Sequence, residues 1–306
     1  MRNKIKDPGL GYSSDKNIKS FIDKKGESTI VHLNRPKSID DLYTYIISIS
    51  WLKFFGFILL GFVLINSLFA SIYLISGVEK INIVANSVFS EFLYAFFFSA
   101  QTVTTLGYGA LAPTDIITGI ISSFEALIGL LSFSFVTGLL YGRFSKPRAS
   151  IRFSKNLIYR KFEDKQAIMF RLVSKRTSIM IEPEIKVTLS ISKKDKNNEF
   201  KREFFALKLQ RDAITYLPTM WTVVHIIDED SPLYSFSEKE ITELNAKIFI
   251  LFQYHEDSFA QKVYQIYSYN FDKLLMNRKF KSSVSFNEEG YTVLDHDILD
   301  KTEAFD

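Results

Sequence analysis

Residues 54–78 read FFGFILLGFVLINSLFASIYLISGV, a run of 25 residues without a charged side chain. The hydrocarbon core of a bilayer is about 30 Å thick, so a helix that rises 1.5 Å per residue needs roughly 20 apolar residues to cross it. Segments of a soluble core rarely stay uncharged for so long. The run starts behind a polar segment of 53 residues, which is not the arrangement of a cleaved signal peptide. We therefore expect a membrane protein in which this run is the first span.

The charge distribution divides the chain of 306 residues into three parts. Residues 54–142 hold one Lys and four acidic residues, whereas residues 1–53 hold ten Lys and Arg against six acids, and residues 143–306 hold 27 against 24. The chain contains no Cys, which excludes disulfides, thiolate metal sites and thiol nucleophiles. The net charge of +4 does not indicate a nucleic-acid partner, because a basic rim facing a membrane gives the same balance.

Two further runs with few charges follow the first span. Residues 92–114 carry Thr, Gly and Pro in their second half, whereas residues 116–142 contain the single charge of Glu125 and predict a second span. Seven Lys and Arg occur between residues 143 and 161 without an acid, so the positive-inside tendency places both chain ends in the cytoplasm. The number of crossings is then even, and the middle run is expected to enter the membrane and return.

The segments beside the spans have recognisable patterns. Ser38 and Asp41 form a capping-box pattern ahead of an amphipathic helix, which we expect along the membrane interface; an ordinary surface helix is the alternative. Trp51 and Tyr73 are expected in the aromatic belts at the two ends of the first span. Beyond residue 150 the hydrophobic period changes to two, which predicts a β-sandwich with a short helix at 238–246 capped by Ser237. The predicted strands include residues 185–191, 200–209, 221–227, 248–254 and 263–269.

Between the two spans, residues 104–109 read TTLGYG. Irregular backbone at membrane depth has to be buried in protein or line a pore, because unsatisfied peptide groups are costly there. Residues 92–104 can form a short helix before it, and Gly107 and Gly109 allow backbone angles that point successive carbonyls the same way. Four such segments around an axis would replace the hydration shell of K⁺. The segment therefore predicts a selectivity filter, with a chance Gly-rich loop as the alternative.

The filter sequence and its neighbours resemble the inward-rectifier potassium channels, especially their prokaryotic branch. The similar segments are FIDKKG at 21–26, DLYT at 41–44 followed by Trp51, RFSKPRA at 143–149 and VHIIDEDSPL at 224–233. The resemblance implies a homotetramer, with a membrane α-helical pore domain of two transmembrane helices, a re-entrant pore helix and a filter, joined to a cytoplasmic immunoglobulin-like β-sandwich. One departure is Gln101, which stands where many members carry a pore-helix Glu.

The organisation that we expect has four parts. These are a cytoplasmic N-terminal segment at 1–37, an interfacial slide helix at 38–50, a transmembrane pore domain at 51–144 and a cytoplasmic β-sandwich at 145–306. Inside the pore domain we expect an outer helix at 51–76, a pore helix at 91–104, the filter at 105–109 and an inner helix at 115–144.

The residue patterns and the resemblance together predict four groups of functional residues. The filter is Thr105, Leu106, Gly107, Tyr108 and Gly109, with K⁺ bound at Thr105, Leu106, Gly107 and Tyr108; the filter is supported by Gln101 and Glu125; the pore lining and gate are Phe133, Thr137 and Tyr141; and anionic phospholipids or phosphoinositides bind at Arg143, Lys146 and Arg148. For Glu125, a structural hydrogen-bonding role and a functional acid facing the pore are both open. Gly129 and Gly138 are either hinges or points of close helix packing.

The expected function is passive K⁺ conduction by an inward rectifier in the cell inner membrane, classed with the voltage-gated channels, gated where the inner helices cross and modulated by anionic lipid. Weak rectification is expected because Phe133 stands where strongly rectifying relatives carry an acid. Glu256 or Asp257 is expected on the cytoplasmic vestibule, and residues 259–263 at a cytoplasmic constriction. The alternative is a membrane-anchored sensor or interaction protein with an immunoglobulin-like cytoplasmic domain. The sequence has no catalytic constellation, so we expect no enzyme, and K⁺ is the permeant ion with no cofactor.

Overall fold

The chain forms two compact units, Asn34–Lys146 and a second that combines Met1–Leu33 with Pro147–Asp306. The computed structural model describes residues 4–5, 29–36, 38–85, 87–145, 149–177, 179–194 and 200–305. We call the first the helical unit and the second the β unit. The segment at 21–26, on which part of the family resemblance rests, lies outside the described residues.

Four α-helices occur in the part of the helical unit that the structure describes. They are α1 (Ile39–Ser48), α2 (Trp51–Ser76), α3 (Val88–Val103) and α4 (Ile116–Phe144), with a 3₁₀ turn at Val78–Ile81. Ser38 caps α1 in the predicted capping box with Asp41, which satisfies backbone N–H groups that the first turn leaves free. Helices α2 and α4 are long and apolar enough to cross a membrane. Helix α3 begins three residues before the expected start at 91 and, with 16 residues, is too short to cross.

Helices α2 and α3 share the buried core of the helical unit. Phe69, Ala70 and Tyr73 of α2 pack with Ala95 and Phe98 of α3. The Tyr73 and Phe98 rings meet edge to face with their centroids 5.0 Å apart, a favourable arrangement of aromatic pairs. The expectation that Tyr73 lies in an aromatic belt is therefore wrong, because this side chain is fully buried between helices.

The described residues of the β unit form fifteen strands and one α-helix. The strands are β1 (Lys4–Ile5), β2 (Ile151–Phe153), β3 (Leu157–Phe162), β4 (Lys165–Ser174), β5 (Met180–Lys194), β6 (Phe200–Leu207), β7 (Tyr216–Leu217), β8 (Met220–Ile227), β9 (Ala246–Glu256), β10 (Gln261–Asn270), β11 (Leu274–Met276), β12 (Arg278–Phe280), β13 (Val284–Phe286), β14 (Thr292–Leu294) and β15 (Thr302–Ala304). The helix is α5 (Glu238–Glu243). It starts in the predicted capping box of Ser237 and Glu240, and it ends before residue 246 because the chain turns extended at Leu244 to enter β9.

Two larger sheets carry most of these strands. One has the order β1-β6-β5-β9-β10 with β7 on β5, and the other has the order β11-β3-β4-β2 with β8 on β4. All neighbours are antiparallel except β11 and β3. The pairs β12–β15 and β13–β14 form small separate ribbons. The five predicted strands all occur, and the predicted return of residues 200–209 beside 185–191 is the β5–β6 pair.

The two larger sheets pack face to face around one hydrophobic core. Ile185, Val187 and Leu189 of β5 point into it at alternate positions, as the period-two pattern predicts, and they meet Phe170 and Leu172 of β4. The β unit is therefore a sandwich.

Two expectations concern the end of β9 and the start of β10, and the structure contradicts one residue of each. The side chain of Glu256 is 5% exposed and forms an ion pair of 2.5 Å with Arg176, whereas Asp257 is exposed, so the vestibule acid stays a prediction for Asp257 alone. Of residues 259–263, Val263 is the third residue of β10 and lies in the sandwich core, whereas Phe259 and Ala260 lie in the connection between the strands, so a constriction at this connection stays a prediction. The connection between the two strands is the short 3₁₀ turn Asp257–Phe259, followed by Ala260 in the left-handed region at a φ of 48°.

Candidate functional site

The segment after α3 has an unusual backbone. Thr105, Gly107 and Gly109 have φ values of 58°, 50° and 83°. This is the left-handed region, which glycine enters without the steric penalty that a Cβ brings. Both glycines of the motif therefore adopt the backbone angles for which the sequence predicts them, and Thr105 adopts a similar angle although it has a Cβ.

The start of this segment is fastened to the last turn of α3. The Gln101 carbonyl accepts hydrogen bonds from the N–H groups of Leu106 at 2.8 Å and Gly107 at 3.3 Å, and the Thr102 carbonyl accepts one from Thr105 at 3.0 Å. Gln101 thus supports the segment through its backbone. These two carbonyls, which the helix end would leave free or weakly bonded, accept hydrogen bonds that shape the residues that follow.

The far end of the segment is tied to the turn after α2. The N–H and the hydroxyl of Thr114 both donate to the Lys80 carbonyl at 2.8 Å. The Lys80 ammonium forms an ion pair of 3.5 Å with Asp115, whose carboxylate caps α4 by accepting from the Thr118 N–H at 2.8 Å. Residues 105–113 are therefore held at both ends by helices or helix caps.

Glu125 of α4 lies behind α3 and is fully buried. Its Oε2 accepts a hydrogen bond of 2.6 Å from the Tyr73 hydroxyl, and its Oε1 is within hydrogen-bond distance of the Ser99 hydroxyl. Ser99 in turn lies 2.9 Å from Asn66 Oδ1. Of the two readings that the sequence leaves open for Glu125, this geometry favours the structural hydrogen-bonding role.

Gly129 of α4 marks the closest approach of α4 to the C-terminal end of α3. A Cβ at this position would overlap the backbone carbonyl of Val103. Gly129 is therefore a point of close helix packing, the second of the two readings. Around Gly138 the described residues leave open space, so the single chain shows no such contact there.

Phe133, Thr137 and Tyr141 lie along one exposed face of α4. Phe133 is 72% exposed and Tyr141 74%, and the Thr137 hydroxyl donates to the Phe133 carbonyl at 2.9 Å. Their spacing of four residues puts them nearly above one another on the helix. In the segment after α3, Leu106 and Tyr108 are also exposed, at 54% and 74%.

Arg143, at the end of α4, contacts the end of α1. Its Nη1 donates to the Ile46 and Ile47 carbonyls at 3.2 and 3.4 Å, and its Nη2 donates to the Ile49 carbonyl. The guanidinium also lies over the Trp51 ring, 4.3 Å from its centroid. Arg143 thus caps the C-terminal carbonyls of α1, and its charge opposes the negative end of that helix. Lys146 and Arg148, the other two expected lipid ligands, lie outside the described residues.

The amino-acid sequence matches two known protein families and a known potassium channel. Residues 151–306 match the family described as inward rectifier potassium channel C-terminal domain, and residues 58–146 match the family described as ion channel. The inward rectifier potassium channel Kirbac3.1 of Paramagnetospirillum magnetotacticum is 31% identical over 277 residues, which are 90% of this chain and 92% of that protein. The chain belongs to the inward rectifier potassium channel family.

A comparison with solved structures gives a DNA complex of the alkylpurine DNA glycosylase AlkC of Pseudomonas fluorescens. The two chains are 11% identical, the match covers 61% of this chain and 47% of that one, and the TM-score is 0.19. A score this low carries no argument about the fold. The membership in the inward rectifiers rests on the sequence matches.

Membership in this family settles two points of function. The chain is an ion channel of the membrane and not an enzyme. The expectation of a voltage-gated channel is wrong, because inward rectifiers are not gated by a voltage sensor. A voltage sensor is a span rich in Arg, whereas the described helices α2 and α4 each carry one cation near an end, Lys53 and Arg143.

Sequence reasoning missed several residues of this inward rectifier's site. Tyr73 and Ser99 contact Glu125, and Asn66 contacts Ser99, in each case from 26 or more positions away along the chain. Gly142 and Tyr43 also meet, since a Cβ at Gly142 would overlap the Tyr43 hydroxyl. One available signal was the presence of polar residues within otherwise apolar runs, because a buried polar group needs a partner.

Proposed function

We propose that this inward rectifier conducts K⁺ through a fourfold pore whose selectivity filter is Thr105–Gly109. The observation that carries the proposal is the left-handed backbone at Thr105, Gly107 and Gly109, in a segment held at both ends between two membrane-length helices. Such angles can turn the carbonyls of residues 105–108 toward one line, where oxygens from four copies would replace the water around K⁺. The ion needs no cofactor for this passage.

The fourfold arrangement is supported by the surface that one chain leaves uncovered. Leu106, Tyr108, Phe133 and Tyr141 are more than half exposed in a single chain, although they occupy the filter segment and one face of α4. Four copies around an axis would place both sets on the pore. We assign the protein to the inner membrane with both ends cytoplasmic, because the basic cluster at 143–161 follows α4 directly.

The experiment is rubidium uptake into proteoliposomes, with block by Ba²⁺ and with the ratio of K⁺ to Na⁺ flux. Gly107→Ala puts a Cβ on a residue at a φ of 50°, at a cost of about 1 kcal/mol or more in each of four subunits. We expect the variant to lose K⁺ selectivity. Gly119→Ala, at a helical glycine with open space around it, is the matched control and should keep it. A Gly107→Ala channel with the selectivity of the unchanged protein would show that the filter is elsewhere, and Ba²⁺-insensitive vesicles would favour a sensor or interaction protein.

The gate is proposed at Tyr141, where the inner helices converge in the fourfold arrangement. Four aromatic rings at one level form a hydrophobic constriction that stops ions by dewetting. Tyr141 is free of close packing inside its own chain, so Tyr141→Ala should leave the fold intact and raise basal rubidium flux. Leu140→Ala, one residue away on a different face of α4, is the control. Equal basal flux in both variants would place the constriction elsewhere.

A further inference from the structure

A chain of four buried polar side chains connects α2, α3 and α4 behind the filter segment. Asn66 and Tyr73 belong to α2, Ser99 to α3 and Glu125 to α4, and the exposed fraction of each is 0%. We call these four residues the buried polar chain. Ser99 is its central member, since its hydroxyl oxygen lies 2.9 Å from Asn66 Oδ1 and within hydrogen-bond distance of Glu125 Oε1.

The number of protons available for hydrogen bonds within the buried polar chain indicates whether Glu125 is ionised or protonated. A serine hydroxyl has one proton and can donate one hydrogen bond, yet Ser99 faces two acceptor oxygens. The orientation of Asn66 is fixed, because its Nδ2 donates to the Phe62 carbonyl at 2.7 Å and a flipped amide would set two oxygens against each other. With an ionised Glu125, one of the two contacts of Ser99 would therefore lack a proton.

A protonated Glu125 removes this deficit. Its carboxyl O–H donates to the Ser99 oxygen, Ser99 donates to Asn66, and the second Glu125 oxygen accepts from Tyr73. Every contact in the chain then has one donor and one acceptor. Burial is consistent with this state, because the described partners of the carboxyl are two uncharged hydroxyl groups and an unpaired charge at membrane depth is costly.

We propose that Glu125 is a positioning residue that works as an uncharged hydrogen-bond donor. Its proton completes the hydrogen-bonded links from α4 through α3 to α2. The link in α3 is Ser99, two residues before Gln101, whose carbonyl accepts hydrogen bonds from Leu106 and Gly107. The chain thereby fixes α3 and the start of the filter segment against both membrane-length helices. The inference rests on the proposed function in one respect, because the effect of moving α3 is measured as a change in ion selectivity.

The variants follow from the donor role. In Glu125→Gln the amide N–H can donate to Ser99 while the amide oxygen accepts from Tyr73, so a neutral donor is retained. Glu125→Leu keeps a similar volume but leaves Ser99 and Tyr73 without their partner. We expect the ratio of K⁺ to Na⁺ flux to stay near that of the unchanged protein in Glu125→Gln and to fall about tenfold in Glu125→Leu, the order expected when buried polar groups lose a partner. Glu91→Gln, the same change at the first turn of α3, is the control and should keep the ratio.

A second readout does not depend on conduction. Infrared spectra of the full-length channel at neutral pH should show the carbonyl band of a protonated carboxylic acid, which disappears in Glu125→Gln and stays in Glu91→Gln. Absence of that band from the unchanged protein, or a Glu125→Gln channel as unselective as Glu125→Leu, overturns the inference. If Glu125→Leu does not assemble, Ser99→Ala interrupts the same chain, and unchanged selectivity in it also overturns the inference. Failure of the proposed function would look different, since the unchanged protein would then not select K⁺ while the band would still be present.

Discussion

His225, inside the segment VHIIDEDSPL, shows how a single side chain can fix a loop and set a pH dependence. It is 4% exposed, and its Nδ1 lies 2.7 Å from the Lys208 carbonyl while its Nε2 lies 2.9 Å from the Ser231 hydroxyl. Ser231 also accepts from the Leu233 N–H at 3.2 Å, so its proton is available for Nε2. These partners assign a neutral imidazole that donates from Nδ1 and accepts at Nε2. This histidine therefore has a structural role in the β unit.

The first prediction concerns the stability of the β unit against pH. Burial lowers the pKa of His225 below its ordinary value, and the hydrogen bond to Lys208 and the charge of Asp228 oppose this only in part. The unfolded chain therefore binds the proton more readily. Stability is full above the unfolded pKa of about 6.5 and falls as the pH drops from there to the lowered folded value, by about 1.4 kcal/mol for each pH unit between the two.

Thermal unfolding of the full-length protein, followed by the circular dichroism of its strands from pH 7.5 to pH 5, measures this loss. His225→Gln removes the titrating ring and should give a flatter profile, even though it lowers the stability at neutral pH. His296→Gln is the control, because it replaces a second histidine of the β unit whose ring is only partly buried. Parallel profiles for the unchanged protein and His225→Gln would contradict the assignment.

At the scale of elements, the approach of α4 to α3 at Gly129 decides whether the filter segment keeps its place. The second prediction is that Gly129→Ala drives these helices apart, because the new Cβ meets the rigid carbonyl of Val103 and not the end of a flexible side chain. Overpacking of this kind costs about 1–3 kcal/mol. We expect weaker K⁺ selectivity and a lower melting temperature, whereas Gly119→Ala on the same helix should be neutral or slightly stabilising. Equal selectivity in the two variants would argue against close packing as the role of Gly129.

Because the end of α1 contacts Arg143, we expect the residues of the basic cluster to have two different roles. Arg143 is occupied by the carbonyls at the end of α1 and by the Trp51 ring, so we propose that lipid headgroups meet Lys146 and Arg148 instead. Each basic residue at the headgroup level attracts anionic lipid by about 1 kcal/mol. The third prediction is that phosphoinositide in the vesicles inhibits rubidium flux and that Arg148→Ala relieves the inhibition.

Arg143→Gln should act differently. It should increase hydrogen exchange in the last turn of α1, since the helix loses its cap, while inhibition by phosphoinositide persists. Flux that phosphoinositide does not change in the unchanged channel, or relief of inhibition by Arg143→Gln alone, would reverse this division of roles.

The success of sequence reasoning depended on how locally each feature is encoded. The bounds of α2, the caps at Ser38 and Ser237 and the positive φ at Gly107 follow from a few adjacent residues, and the sequence predicts them. The partners of Arg143 were out of reach, because they are backbone carbonyls 94 to 97 positions away that any residue could supply. Tyr73 was placed wrongly because an apolar ring with a polar tip fits a membrane interface as well as a buried hydrogen bond.

At the scale of the whole molecule, the helical unit is open on the surfaces where other chains and lipid belong. Helices α2 and α4 carry many exposed apolar side chains, such as Leu59, Leu64 and Leu131. A soluble protein could not leave such patches uncovered. This exposure agrees with a bilayer around α2 and α4 and with the proposed fourfold pore, in which the exposed face with Phe133 would line the ion path.

The last prediction concerns rectification, which depends on charges along that path. Phe133 offers no charge to a cationic blocker, and Glu125, two turns closer to the filter, is buried behind α3 with its carboxyl bound by Tyr73 and Ser99. Unit charges 4 Å apart attract by about 4 kcal/mol at an effective dielectric constant near 20, so the lack of four acids removes most of the attraction for spermine. Current recorded against voltage, with and without cytoplasmic spermine, should therefore show weak rectification.

Phe133→Asp should make the block by spermine steep, because the position is 72% exposed and would be repeated four times in the proposed fourfold pore. Phe133→Asn, which is similar in size to the aspartate but uncharged, separates the effect of charge from the loss of the ring and should leave the block weak. Strong voltage-dependent block of the unchanged channel would contradict the prediction and would mean that another acid reaches the ion path. The buried partners of Glu125 make that residue a poor source, since exposing its carboxyl would break the contacts that hold α3 beside the filter.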